Sequence, residues 1–446
     1  MKQRTMHIGL DDTDSTRKGC TTYIAALLVE KLTKLGANFT DYPALVRLNP
    51  NVPWKTRGNG SLCLRINYNV GSERIIKETV ISEVEKHSDI NQRGTDPGIV
   101  FINGPKIPRK IRVFTRNTIL GISKLKDALA LVREYKGEAL AFKGGRGVIG
   151  ALAAIGETFQ SDHTYEVIAY RTPENCGKRR KVDEKSIYEM DKATGLFTFN
   201  NVDAEKKRVI ITPRGPDPIL FGIRGENPEA VKKAFRMVKT LEPIERWAIF
   251  RTNQGTDAHL KRVNELSQIK PYSSVIVRGT VLSNPEMIRG RHVIFPIVDH
   301  ASRVDCAAYE PTGNLRVAAR KLIAGDKVDV YGGVRPPLSG KPLTINLEKF
   351  RLIKLAPKVF YRNPICLKCG TRLKSMGRNQ GLRCDRCRRR YPSFEKVVVK
   401  LNREVTKDLY ITSTRSQRHL TKPSVRYGRE KRHGQAERLI EEWHFP

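Results

Sequence analysis

Three aspartates, Asp11, Asp12 and Asp14, follow a short apolar run in the segment HIGLDDTDSTRKGCTT, and Thr21 and Thr22 close it. Clustered carboxylates supply the oxygen ligands that a hard cation such as Mg²⁺ prefers, and Mg²⁺ commonly bridges one or two carboxylates to substrate phosphates. The pattern reads as a metal and phosphate site, with Asp11 and Asp12 as magnesium ligands and ATP as the guest. The alternative is that DDTDS caps a turn, because Asp, Ser and Thr bond neighbouring amides readily.

The elements around the aspartates favour the first reading. Ile24, Leu27, Leu28, Leu32 and Leu35 recur at helical spacing up to Gly36, which puts Thr21 and Thr22 at a helix N-terminus. Free amides and the helix dipole make such an end attractive to phosphate. A second phosphate candidate is FKGGRGVIGALAAIG, in which Lys143, Gly144, Gly145, Arg146 and Gly147 precede an apolar helical run. It is not a Walker A sequence, and a Gly-rich turn before a helix also has purely structural uses. The polar loop NPNVPWKTRGNGS reads as functional, and Asp96 in RGTDPG as a tight turn.

Cys366-x2-Cys369 and Cys384-x2-Cys387 form two knuckles separated by fourteen residues. That spacing predicts a four-thiolate structural zinc site of the ribbon type. Cys20, Cys63, Cys176 and Cys306 are scattered singly, the usage of a reduced compartment.

The chain has 446 residues with 82 Lys and Arg against 46 Asp and Glu, a formal net charge of +36. Such an excess points to a polyanionic partner, nucleic acid first. No run of eighteen apolar residues occurs, so the expectation is a soluble, non-exported, cytoplasmic protein without membrane contact.

The chain reads as a multidomain α+β protein. Residues 1–162 alternate strands and helices as an α/β domain, and residues 163–265 follow the order β, α, β, β, α, β of a ferredoxin-like domain. Five short strands over 270–356, with one helical piece between the third and fourth, predict an OB-fold barrel that binds single-stranded nucleic acid. The zinc ribbon occupies 360–395. Residues 396–446 read as a basic tail whose Arg, His and Tyr residues order against RNA, ending in a short helix over Ala436 to Trp443. In so basic a chain, the acids of PRGPDPILFGIRGENP, which holds Asp217 and Glu226, and of FRTNQGTDAH, which holds Asn253 and Asp257, are candidates to bind a cationic small molecule, although Asp217 between prolines also suits a turn.

Together DDTDSTRKGCTT, LNPNVPWKTRGNG, GGRGVIGALAAIG, TPRGPDPILFGIRGE, FRTNQGTDAH and the four-cysteine ribbon resemble the archaeal tRNA-isoleucine agmatinylcytidine synthetases, nearly end to end. The resemblance implies a kinase-like N-terminal domain, a ferredoxin-like domain, an OB-fold and a zinc ribbon. It implies an ATP-dependent carbon–nitrogen ligase that replaces the carbon-2 oxygen of the wobble cytidine of the AUA-decoding, CAU-anticodon isoleucine tRNA with agmatine. The oxygen would first be phosphorylated and then displaced, with ATP ending as AMP and two phosphates. Thr21 aligns with the threonine that takes up one phosphoryl group. Asp11, Asp12 and Asp14 would hold Mg²⁺ and orient attack, Thr22 and the Lys143–Gly147 loop would cradle phosphates, and Asp217 and Asp257 would meet agmatine. The family's Gly-rich loop often carries Asn ahead of its Arg, whereas Lys143 and two glycines precede Arg146 here. Two rival readings are a non-catalytic single-strand-binding factor, which explains only the C-terminal half, and an ATP-dependent enzyme acting on another RNA site or amine.

Overall fold

The computed structural model describes residues 3–300, 302–338, 340, 342–393, 395–431 and 438–446. Its N-terminal half is built on one 11-stranded sheet. The first part contributes β1 (Gln3–Asp11), α1 (Thr21–Lys34), β2 (Ala44–Arg47), β3 (Gly60–Asn69), α2 (Glu73–His87), β4 (Gly98–Asn103), α3 (Arg109–Leu120), α4 (Leu125–Glu134), β5 (Glu138–Ala141) and α5 (Arg146–Gly156). The second contributes β6 (Thr164–Arg171), α6 (Glu184–Thr194), β7 (Thr198–Phe199), β8 (Ile219–Gly225), α7 (Pro228–Met237) and β9 (Ile244–Thr252), so its main elements run strand, helix, strand, strand, helix, strand.

These two parts share one sheet, whose order is β5-β4-β1-β3-β2-β9-β6-β8-β7. The seam is a short parallel pairing of Ala44 with Arg251 and Leu45 with Thr252. Asn253 extends the seam by imitating a strand: its Oδ1 accepts from the Arg47 amide at 2.8 Å and its Nδ2 donates to the Arg47 carbonyl at 2.9 Å. One apolar core runs through both parts, joining Ile8, Leu28 and Leu64 to Tyr165, Ile168 and Phe250.

Helix α5 explains the glycines that the sequence reading offered to phosphate. A Cβ on Gly147 would lie 2.3 Å from the Gly98 amide nitrogen, and one on Gly9 of β1 would lie 2.1 Å from the Ala151 carbonyl oxygen. The glycines let the helix settle directly on β1 and β4, closer than side chains permit.

The barrel follows the expected five strands: β10 (Ser274–Val281), β11 (His292–Val298), β12 (Arg303–Ala308), β13 (Lys327–Arg335) and β14 (Thr344–Lys354), with α8 (Asn314–Arg320) between the third and fourth. The pairings run β10-β13-β14-β12-β11 and close from β11 back to β10. A two-stranded stalk, β15 (Lys358–Arg362) with β16 (Val397–Leu401), carries the ribbon that holds the four cysteines.

Beyond the stalk, the chain departs from the expected tail. It adds β17 (Leu409–Ile411) to the barrel and then crosses back over the large sheet as a strap. Several of its basic residues pair with acids of the same chain. Arg426, fully buried, meets Glu226 Oε1 at 2.8 Å and Asp162 Oδ1 at 2.9 Å. Arg415 meets Asp203 and Glu205, each at 2.9 Å. Trp443 packs edge-on against Phe39 and Tyr42 within the main core, and β18 (His444–Phe445) pairs with β9. Ala436 and Glu437 lie outside the described residues, and 438–443 form coil and a turn rather than the expected helix, because backbone pairing with β9 and packing on Tyr42 fix the path.

Removing one partner of a buried ion pair strands the other charge. Arg426→Ala is therefore expected to destabilise the protein by about 3–5 kcal/mol, read from denaturant unfolding of the full chain.

Candidate functional site

A cavity of about 460 Å³ opens where β1 ends, α1 begins and the strap passes. Asp11, Asp12, Asp14, Thr21, Thr22, Arg57, Arg146 and Asp217 all line it. β1 delivers the acids in sequence. Asp11 is its last residue, and Asp12 follows with a φ of 57°, a left-handed backbone that turns the chain sharply and that Asp tolerates better than most residues.

Burial dominates the chemistry of all three carboxyls and raises their pKa values. Asp11 is pushed well above the carboxylate range by burial and then by the charge of Asp12, with the Ser61 hydroxyl pulling the other way. A Cβ on Gly150 would sit 1.8 Å from its Oδ2, so only glycine on α5 leaves room for that carboxylate. Asp12 is pushed up to about 6 by burial against the counter-effect of Arg146, whose Nε donates to it at 2.9 Å. Asp14 is raised by burial against the pull of Arg57, whose Nε lies 2.9 Å away. Arg146 and Arg57 thus pair with two of the three acids, the Arg47 charge also pulls on Asp14, and Asp11 has no cationic partner among the described residues. This oxygen-rich donor set fits a hard divalent cation, which would relieve the remaining repulsion.

The threonines stand on the opposite wall. Thr13 Oγ1 donates to Thr21 Oγ1 at 2.9 Å, and Thr22 Oγ1 lies 3.1 Å from the Cys20 sulfur. Helix α1 has no side-chain cap. Its first amides are therefore open to an anion in the cavity.

The Gly-rich loop behaves differently from the expectation. The Gly145 and Arg146 amides donate to Asp96 Oδ1 at 3.1 Å and Oδ2 at 3.0 Å, and the Gly147 amide donates to the Asp96 carbonyl at 3.1 Å. Asp96, read from sequence as a turn residue, is the cap of α5, and it leaves those amides nothing to offer phosphate. Lys143 donates to the Gln92 carbonyl at 3.1 Å and does not line the cavity, and neither do Gly144, Gly145 and Gly147. Arg146 alone of that set does.

Of the two acids expected to meet agmatine, the structure brings only Asp217 to the cavity. Its Oδ2 lies 3.1 Å from Arg57 and its Oδ1 lies 3.1 Å from Arg180. Asp257 sits at the junction with the barrel, where Lys349 takes one carboxylate oxygen and the Lys422 amide donates to the other at 2.7 Å. Both its oxygens are spent on holding the strap and the barrel together.

Among the cavity residues that were not singled out are Arg47, Trp54, Arg57 and His419. The first three lie in or beside the loop singled out as functional, where Trp54 is 46% exposed and nothing local distinguished ligand from filler. His419 comes from the strap, and no sequence signal connects it to residue 47.

The ribbon sulfurs of Cys366, Cys369, Cys384 and Cys387 all lie within 4.8 Å of one another. Sulfurs about 2.3 Å from a tetrahedral zinc stand roughly 3.8 Å apart, so this set fits zinc.

Models of three domains match this chain: the TiaS TCKD domain at residues 7–78, the TiaS FLD domain at 145–259 and the TiaS C-terminal zinc ribbon domain at 363–405. A relative from Methanocaldococcus jannaschii, the isoleucine-2 tRNA 2-agmatinylcytidine synthetase TiaS, is 42% identical over 424 residues, 94% of this chain and 98% of that one. The chain belongs to the TiaS family. A TiaS of the same description from Pyrococcus horikoshii is 43% identical, covering 94% of this chain and 97% of its own. Among solved structures, a complex of TiaS with isoleucine-2 tRNA and ATP superposes with a TM-score of 0.85 at 38% identity, covering 95% of this chain and 97% of that one. A complex of TiaS with isoleucine-2 tRNA, AMPCPP and agmatine gives 0.82 at 36% identity, with 95% and 97% covered. Among the described residues, no helix is long and apolar enough to cross a membrane.

The raised Asp12 pKa fixes the sign of a pH effect. A carboxyl that binds its proton more tightly when folded adds stability at low pH and loses it as pH rises from about 4, the ordinary value, through about 6. In EDTA, Asp12→Asn is expected to raise the melting temperature at pH 7.5 and to leave it unchanged below pH 4.

Proposed function

We propose that this chain joins agmatine to carbon 2 of the wobble cytidine of the CAU-anticodon isoleucine tRNA, in the cytoplasm and at the expense of ATP. One observation carries the reading: three crowded carboxylates, an uncapped helix start with two threonines, and the Arg57–Asp217 pair share one cavity in a chain that matches TiaS relatives over nearly their whole length. A similar TiaS structure holds isoleucine-2 tRNA, AMPCPP and agmatine together.

The carbon-2 oxygen is a poor leaving group, and making it a phosphate ester solves that problem. Phosphoryl transfer asks the protein for alignment and charge neutralisation more than for covalent help. Asp11 and Asp12, with Asp14 adjacent, would hold Mg²⁺, which when bound neutralises phosphate charge. Arg146, anchored on Asp12, reaches the same space and stabilises the transferring group. The amides at Thr21 and Thr22 would donate to a phosphate oxygen, and the Thr21 hydroxyl, which accepts from Thr13, would take one phosphoryl group from the nucleotide as its proton passes to a nearby carboxylate, water then releasing that group as the second phosphate. The agmatine amine then forms the new C–N bond as the C–O bond breaks and phosphate leaves with the electron pair. The amine proton passes to a carboxylate or to water. Asp217 is the acid on hand for the guanidinium of agmatine. Its two oxygens now hold Arg57 and Arg180, so the agmatine guanidinium would take the place of one of them.

The modules have named counterparts in this reading. The first part of the sheet is the kinase-like domain, the four antiparallel strands β9-β6-β8-β7 with α6 and α7 are ferredoxin-like, and the closed barrel is an OB-fold. The cytidine must leave its stack to enter the cavity.

With γ-labelled ATP, purified tRNA and agmatine, the protein is expected to yield AMP, phosphate and agmatidine. Asp12→Asn should lower turnover by at least ~10²-fold, with tRNA affinity within about twofold, because it removes site charge and leaves the basic surface alone. Unchanged turnover would contradict the site. Cys369→Ser should release zinc and weaken tRNA binding more than ATP consumption. A binding factor without catalysis would give neither AMP nor modified nucleoside.

A further inference from the structure

A second cavity of about 370 Å³ lies behind the loop that carries Arg57, between that loop and the strap. It shares Arg47, Lys55, Arg57, Gly58 and His419 with the acidic cavity and adds Arg418. None of its lining residues among those described is acidic. The Arg57 and Arg418 side chains already have partners: Arg57 has Asp14 and Asp217, and Arg418 has Asn51. The remaining charges do not.

Arg47 is the informative one. Among the described residues its guanidinium makes no hydrogen bond or ion pair, and its Nε is buried without a partner. The nearest acids are committed elsewhere, Glu166 to Arg224 and Gln254, and Asp14 to Arg57. Burial and the Arg224 charge lower the Arg47 pKa to about 10, against the pull of Glu166 and Asp14, so it stays charged at neutral pH. Only Nε is shut off from water; the residue as a whole is part-exposed, and its terminal nitrogens face the two cavities without a protein partner among the described residues, where an anion would meet them.

His419 supplies a second donor on the same spot. Its Nδ1 accepts from Arg224 Nη2 at 2.9 Å, because a guanidinium only donates. The ring is then neutral with its proton on Nε2, and burial with the flanking Arg47 and Arg224 charges holds its pKa well below the ordinary imidazole value. Glu166 braces Arg224 at 3.1 Å in turn. Gly58 backs onto both donors, and a Cβ there would crowd them at 2.7 Å from Arg47 Nη1 and 2.8 Å from His419 Nε2.

We propose that Arg47 Nη1 and His419 Nε2 are the fixed donors of a phosphate-binding subsite, completed by the strap and opening onto the acidic cavity. Its ligand is a tetrahedral phosphate brought by the substrates of the proposed reaction, on which this assignment rests. Two sources share that chemistry: the phosphodiester next to the nucleotide entering the acidic cavity, and the phosphate released there. The strap makes the subsite conditional on the whole chain being folded, because His419 is held by the Gly255 amide donating to its carbonyl at 2.8 Å.

The test uses the full chain and pyrophosphate as probe, titrated calorimetrically in EDTA so that no metal site contributes. Wild type is expected to bind one equivalent. Arg47→Gln should weaken that binding at least ~10-fold through loss of a charge-assisted donor. Gly58→Ala, which keeps every charge and displaces both donors, should do the same. Asp12→Asn should bind as tightly as wild type or more tightly, since it removes a nearby negative charge. Equal affinity in wild type, Arg47→Gln and Gly58→Ala would overturn the proposal, and so would loss of binding in Asp12→Asn, which would put the anion among the carboxylates. The salt dependence of tRNA binding separates the sources. A slope of log K against log salt reduced by about 0.7–0.9 in Arg47→Gln identifies an RNA phosphate. An unchanged slope with slowed turnover identifies the released phosphate. Failure of wild type to form agmatidine would sink the proposed reaction and leave the pyrophosphate result standing.

Discussion

The site depends on burying three carboxylates at the end of one strand. At short range and low effective dielectric their mutual repulsion is large, and each also loses its hydration. Arg146 and Arg57 offset part of this cost, and Asp11 is left without a counter-charge among the described residues. Arg146 reaches Asp12 only because α5 lies directly on β1, which needs Gly9, Gly147 and Gly150 to have no side chains. The glycines that resemble a phosphate loop thus serve the acids instead, by letting a helix approach close enough to deliver one guanidinium.

A cavity with such stored repulsion has to be held by rigid walls. The sheet provides them, since the parallel seam between β2 and β9 makes one body of two parts. Asn253 ties the loop that begins at Arg47 to that seam. The strap closes the remaining side. Its arginines and lysines add to the net charge of +36, yet Arg415, Lys422 and Arg426 are spent inside the molecule on Asp203, Glu205, Glu430, Asp162 and Glu226. Each such pair cancels one cation against one acid, so the net excess of +36 is unchanged and falls on the cations outside these pairs.

What the sequence revealed divides along locality. The aspartate cluster, the helix beginning at Thr21, the five barrel strands with their helix and the two cysteine knuckles are written in short windows, and each appears where its pattern placed it. The continuous sheet does not, because the pairing of Ala44 with Arg251 joins residues far apart in the chain. Asp96 looked like a turn and is a helix cap supplied from outside the helix, and Asp257 looked like a binding residue and is a structural ion-pair partner. The C-terminal segment looked RNA-bound because its composition is basic and polar, and composition carries no record of which acids will meet it. His419 belongs to the cavity solely through that long return.

The most direct test of this account is a crystal structure of the full chain with Mn²⁺ and a non-hydrolysable ATP analogue, using the anomalous signal to place the metal. The account predicts manganese bonded to Asp11 and Asp12, with the phosphate chain running toward Thr21 and Arg146. Nucleotide and metal bound away from these carboxylates would contradict it.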